Sequence, residues 1–301
     1  MAMTDEALER IDPLVINLAV ARGVPELFDL DVARYVNTLD AWAAEIRFDT
    51  ERHRYRFAAD PEQFHHSEVE YRITWLASDI NAVFKVDYDI ADFDAADPGN
   101  LFLNGVIDRK LGTCVSMPML YVALGWRLDY AIKPVAVPTH LFARWDDGAN
   151  RVNIEATGYG ADNPDSLYEG EYFVSDAMKT RGRLLQSLAP RRTLAVLLLA
   201  RADYWSRHGD HDRRLADVLR ANLLYPEYPL AIIELERAWL ARGKHDPYYA
   251  DVLEDFDRAV TRINERFLAS RGHPVEKLIF DENGPRRVLV NPITGNETPI
   301  E

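Results

Sequence analysis

One cysteine stands in 301 residues, so no disulfide can form within the chain and a cysteine-rich zinc site is excluded. Long apolar runs are also missing. The longest, Leu194 to Ala200, has seven residues, far short of the roughly 20 that span a bilayer. Basic residues are outnumbered, 35 against 49 acidic, giving a formal net charge of −14 and a pI near 5.1. That balance argues against nucleic acid and anionic membrane as partners, since both require clustered positive charge. The N-terminus, Met1-Ala2-Met3-Thr4-Asp5-Glu6-Ala7, has neither the basic start nor the apolar block of a signal peptide. A cytoplasmic protein is the expectation.

What is present is an ordinary globular composition, 48% apolar and 28% charged, with length for two modest domains. The first hundred residues read as helices. Val32, Tyr35, Val36, Leu39, Trp42, Ala43 and Ile46 recur at three-and-four spacing, with Asp31 placed to cap the start. Ser67 to Phe84 repeats the pattern through Val69, Ile73, Leu76, Ile80 and Phe84. The acidic stretch Asp87, Asp89, Asp92, Asp94, Asp97 lacks the Gly and terminal Glu of a calcium loop, so a solvated loop is expected there. Leu101 to Lys110 then reads as helix. A second helix runs to Leu128, and Pro118 belongs in its first turn because proline has no N–H to donate, which puts Cys114 at the helix mouth. Ile132 to Val137, His140 to Trp145 and Arg151 to Ala156 read as strands, with a turn at Asp146 to Ala149.

The last third contains an internal repeat. Trp205, Gly209, His211 and Asp212 recur 34 residues later as Trp239, Gly243, His245 and Asp246. A 34-residue helix-turn-helix period resembles the tetratricopeptide repeat. The equivalent placement of His211 and His245 suggests a structural role for both in preference to metal ligation. The tail from Leu278 to Glu301 is expected to form a hairpin around Asn283-Gly284. The expected division is a helical region over 1–98, a core over 99–188, tetratricopeptide-like repeats over 189–272 and a tail over 273–301.

Three segments carry the chemistry: Gly112-Thr113-Cys114, Pro138-Thr139-His140-Leu141-Phe142, and Asn153-Ile154-Glu155-Ala156-Thr157. A cysteine attacks as its thiolate, which a helix N-terminus favours through free N–H groups and positive potential. An imidazole can take the proton and return it to a leaving group, and an acid behind the imidazole fixes its orientation. If Asp146 to Ala149 is a four-residue loop, Trp145 pairs with Asn150 and His140 lies directly opposite Glu155. The same register sets Leu141 against Ile154 and Ala143 against Val152 on an apolar inner face, and Arg144 against Arg151 at a wet edge.

A Gly-x-Cys at a helix start, followed by a His and then an acid on successive strands, resembles the transglutaminase-like superfamily within the papain-like cysteine fold. The likeness is greatest to a bacterial branch whose core follows a helical segment and precedes a tetratricopeptide-like tail. Its residues are Leu18-Ala19, Leu30 to Ala44, Asn104 to Leu124, His140 to Trp145 and Asn153 to Thr157, within a span of roughly residues 10 to 270. The resemblance implies an α+β fold in which a cysteine-bearing helix packs on a small antiparallel sheet. It implies Cys114 as nucleophile, His140 as base and Glu155 as orienting acid, where Asp is commoner in the superfamily. Many proteins of the branch lack the cysteine, which this chain retains.

The implied chemistry is acyl transfer from a protein or peptide amide through a thioester, with no cofactor and no metal. The Cys114 N–H and the Asn104 side chain are candidate oxyanion donors, and Trp145 and Tyr159 candidate cleft walls. The alternative is a non-catalytic scaffold that binds a protein partner through its helical repeats.

Overall fold

The computed structural model describes residues 3–92, 95–239, 250–270, 275–281, 284–290 and 297–299. The N-terminal region is helical, as the spacing predicts. Asp31 accepts from the Arg34 N–H and starts the helix Val32–Arg52, which buries Tyr35, Leu39, Trp42, Ala43 and Ile46. Ser67 accepts from the Glu70 N–H and starts the helix Glu68–Ser78. That helix does not run uniformly to Phe84. Residues Asp79–Val83 widen into a π turn, closed by Phe84 N–H on the Asp79 carbonyl. The extra residue brings Phe84 flat against Trp42, ring centres 4.4 Å apart, a contact that accounts for the wider turn.

The acidic stretch is more than a solvated loop. Asp92 is buried and accepts from the Ala96 and Asp97 N–H groups and from the Asn100 amide. Just beyond it, the expected Leu101–Lys110 helix is divided. Pro98–Leu101 forms one turn, Phe102 is extended, and Leu103–Arg109 forms the helix proper. Gly105 makes the tight corner possible, because a Cβ there would lie 1.3 Å from the Gly99 carbonyl oxygen.

The core consists of the cysteine helix, Ser116–Leu128, packed on an antiparallel sheet of Ile132–Val137, His140–Asp146 and Arg151–Ile154 in that spatial order. The observed register pairs Ala143 with Ile154, Arg144 with Asn153, Trp145 with Val152 and Asp146 with Arg151. This is two residues away from the expected pairing. Asp147 explains the slip: its carboxylate accepts from the Ala149 and Asn150 N–H groups and from the Trp145 indole, so Asp147 builds the turn and the loop starts one residue later. A shift of two preserves which side chains share a face.

Arg144 corrects the expectation of a wet edge. It is fully buried and faces Asn153, not Arg151. Its guanidinium donates to Asn153 Oδ1, to the Leu185 carbonyl and to Asp165. Both faces of the histidine strand are thus covered.

Four further helices follow, Pro190–Arg207, His211–Leu224, Pro229–Trp239 and Ala250–Ser270. In the first copy of the repeat, Gly209 turns the chain at φ +70° and Asp210 caps the next helix by accepting from the Arg213 N–H. Trp205 is buried and donates to Asp217, which also holds Arg201, and Arg201 reaches back to the Val20 carbonyl. His211 is exposed at the helix start. Of the second copy, Trp239 ends a helix, while Gly243, His245 and Asp246 lie outside the described residues. In the tail, Val275–Asp281 pairs antiparallel with Gly284–Val290. No helix among the described residues is long and apolar enough to cross a membrane.

Candidate active site

Cys114 sits where a loop becomes a helix. The Thr113 carbonyl accepts from Met117 N–H at 2.9 Å, so the turn carrying Cys114 already has helical hydrogen bonding. Thr113 and Ser116 lock this turn reciprocally: Thr113 N–H donates to Ser116 Oγ at 2.9 Å, and Thr113 Oγ1 accepts from the Val115 and Ser116 N–H groups. The Ser116 hydroxyl in turn donates to the Asn100 carbonyl at 2.6 Å. The thiol is half-buried and lies 3.9 Å from the Thr139 carbonyl oxygen.

Thr139 belongs to the two-residue turn Pro138-Thr139 that delivers His140. Val137 pairs with His140 across it, and Thr139 takes φ +61°, a left-handed conformation unfavourable for a β-branched residue. His140 is the first residue of its strand. Its Nε2–H donates to Glu155 Oε2 at 2.9 Å, which leaves Nδ1 as the ring nitrogen available to the Cys114 sulfur. Glu155 lies past its strand, capping the turn Ala156–Gly158. In the observed register His140 and Glu155 are diagonal neighbours, and the longer glutamate arm closes the gap that an aspartate would leave.

The electrostatics follow from this arrangement. Burial opposes a charged imidazole, but the Glu155 carboxylate and the Cys114 sulfur outweigh it and raise the His140 pKa well above the ordinary histidine value. Burial would likewise raise Glu155, yet the charge and hydrogen bond of His140 and the Thr157 donors pull it down to about 2. The carboxylate accepts four hydrogen bonds: Oε1 from the Thr157 N–H and hydroxyl, Oε2 from His140 and from the Tyr168 hydroxyl at 3.0 Å.

Two residues that sequence reasoning missed complete the surroundings. Tyr168 and Tyr172 lie four apart at the short helix Asp165–Glu171 and its C-cap. Tyr172 stacks on the His140 ring at 5.0 Å between centres, and Tyr168 stacks on Phe142 at 3.9 Å. Asp165, at the start of the same helix, holds Arg144. His140, Phe142 and Arg144 alternate along one strand face, so the helix lies against that face in three rungs. Tyr88 also lies near the thiol, its backbone paired with Gly112. The proximity of Cys114 and of the acids Asp92 and Asp89 adds to burial in raising its phenol pKa.

The other predicted residues fall differently. Asn104 is buried; its amide oxygen has no partner, and it makes no hydrogen bond to Cys114, His140 or Glu155. Trp145 lies farther along the strand. Five residues along the strand from His140, about 16 Å away, it packs on Tyr130 and donates to Asp147. Tyr159 donates to Asp87, next to Tyr88. Among the described residues no group of three or more His, Cys, Asp or Glu is placed to hold a metal ion.

Curated relatives match parts of the chain. F-box only protein 21 from Mus musculus and from Homo sapiens is 32% identical over 60 residues, 20% of this chain and 10% of the relative. The chain therefore spans about a tenth of the length of those relatives. A UPF0162 protein from Xylella fastidiosa is 28% identical over 192 residues, 59% of this chain and 66% of the relative. No solved structure matches. The family model of the transglutaminase-like superfamily matches residues 33–195, more than half of the sequence and the whole of the segment from Cys114 to Glu155, and the chain belongs to that superfamily.

Proposed function

We propose that the protein is a cysteine-dependent acyltransferase or hydrolase acting on a protein or peptide amide carbonyl, with Cys114, His140 and Glu155 as its triad. The observation that carries this reading is the imidazole held between a half-buried thiol and an ionised, fully hydrogen-bonded carboxylate. His140 takes the proton of the Cys114 thiol, leaving a thiolate beside an imidazolium. The thiolate attacks the carbonyl carbon, and the resulting oxyanion needs donors. The Cys114 N–H suits that role, since it makes no hydrogen bond among the described residues. The imidazolium then gives its proton to the departing nitrogen as the C–N bond breaks, leaving a thioester on Cys114. Neutral His140 takes a proton from water or an amine, which attacks the thioester and releases the cysteine. Glu155 keeps the ring oriented and stabilises its charge throughout. None of these steps calls for a cofactor.

The scaffold alternative draws support from the helix His211–Leu224, where Leu219 and Leu223 are exposed one turn apart. One experiment separates the two. Because Cys114 is the single cysteine, iodoacetamide alkylation followed by intact mass from pH 5 to pH 9 reports on it alone. The expected result is labelling below pH 7 that slows at least about tenfold in H140A. Labelling that is equal in both proteins, or absent until denaturant is added, would overturn the catalytic reading.

A further inference from the structure

The Tyr168 hydroxyl and the His140 ring share one oxygen of Glu155, at 3.0 and 2.9 Å. The tyrosine is buried, its ring is pinned flat on Phe142, and its helix is anchored through Asp165 to the buried Arg144. Its hydroxyl therefore reaches Glu155 from a rigid base, four residues before the Tyr172 ring that covers His140. We propose that Tyr168 is a positioning residue of this site, which holds Glu155 Oε2 in the plane of the imidazole and sets how strongly the carboxylate grips the histidine proton. Two donors on one oxygen compete, because each hydrogen bond withdraws charge that the other would use. Tyr168 thus moderates the hold of Glu155 on His140 and keeps the proton transferable. Burial and the nearby carboxylate raise the Tyr168 pKa far above the ordinary phenol value, so the hydroxyl stays a neutral donor across the working pH range.

The inference rests on His140 acting as the base, but its test reads the histidine directly. In a C114A background, where the sulfur no longer acts on the ring, His140 is titrated by nitrogen-15 NMR of the imidazole. Y168F is expected to raise the His140 titration by about half to one pH unit, since Glu155 loses its competing donor. A 3,5-difluorotyrosine at position 168, a stronger donor with the ring retained, is expected to lower it. A purely structural tyrosine would not give shifts of opposite sign. Unshifted titrations, or shifts in the same direction, would overturn the proposal. If Y168F does not fold, the sign of the difluorotyrosine shift decides alone. Failure of the catalytic reading appears elsewhere, as alkylation of Cys114 indifferent to H140A, with the NMR shifts still present.

Discussion

Two of the buried carboxylates, Glu155 and Asp79, behave in opposite ways. Glu155, at the end of the sheet, accepts four hydrogen bonds and its pKa falls to about 2. Asp79, in the π turn of the helical region, has an unpartnered oxygen, and burial together with the charges of Asp49 and Glu45 raises its pKa to about 7. Dehydration is common to both, so it does not decide the outcome. Donors decide it: where they converge the charge is kept, and where acids converge the proton is kept. Around His140 the nearby donors converge on one anion, whereas the helical region leaves the Thr50 hydroxyl without a hydrogen-bond partner and Asp49 Oδ1 with only an Arg52 ion pair at 3.6 Å.

The largest test of that contrast is E155A. Removing the acid strands a buried histidine and three donors, and the expected loss is about 3 kcal/mol in urea unfolding at pH 7. A loss below about 1 kcal/mol would mean that the donors find other partners. The intermediate test is D79N, with the opposite sign. Folded Asp79 holds a proton that the unfolded chain releases near pH 3.8, so stability falls as pH rises from about 4 to 7 and then levels. D79N is expected to stabilise by about 1–2 kcal/mol at pH 8 and to do nothing at pH 4. Glu155 contributes the reverse slope, stability that is present above about pH 4.5 and lost as pH falls towards 2. Urea midpoints taken across pH 2.5 to 8 for wild type, E155A and D79N assign each slope to its residue. The smallest effect concerns the turn that presents His140 to Glu155. T139G relieves the left-handed threonine at φ +61°, and a net gain of about 1 kcal/mol is expected, read from the same midpoints.

Much of the core was legible because its signals are local. Pro118 bounded the cysteine helix, alternation marked the three strands, and Asp31 and Ser67 capped the helices they precede. The pairing of His140 with Glu155 was expected from a register that is off by two. It survived because an even slip keeps both side chains on one face and a glutamate spans the remaining offset. What escaped depends on partners distant in sequence. Arg144 looked like an edge residue because Asp165 is 21 positions away. Tyr168 and Tyr172 carried no motif, and only the docking of their helix gives them a role. Asp147 misled the register since a turn aspartate and a strand-end aspartate look alike until its carboxylate is seen to bind the backbone.

The helix over residues 165–171 and the strand over 140–146 also form a vernier. Four residues of helix advance about 6.0 Å and two of strand about 6.6 Å, near enough for Tyr168 to meet Phe142 while Tyr172 meets His140. The two scales agree over only a short stretch, and the site is read off where they coincide. A one-residue insertion between Tyr168 and Tyr172 would turn the second ring by about 100° and take it off the histidine, with the fold otherwise intact. Drift along this strand-and-helix pair is therefore confined to changes that preserve phase: side chains can be exchanged rung for rung, but neither scale can be lengthened alone.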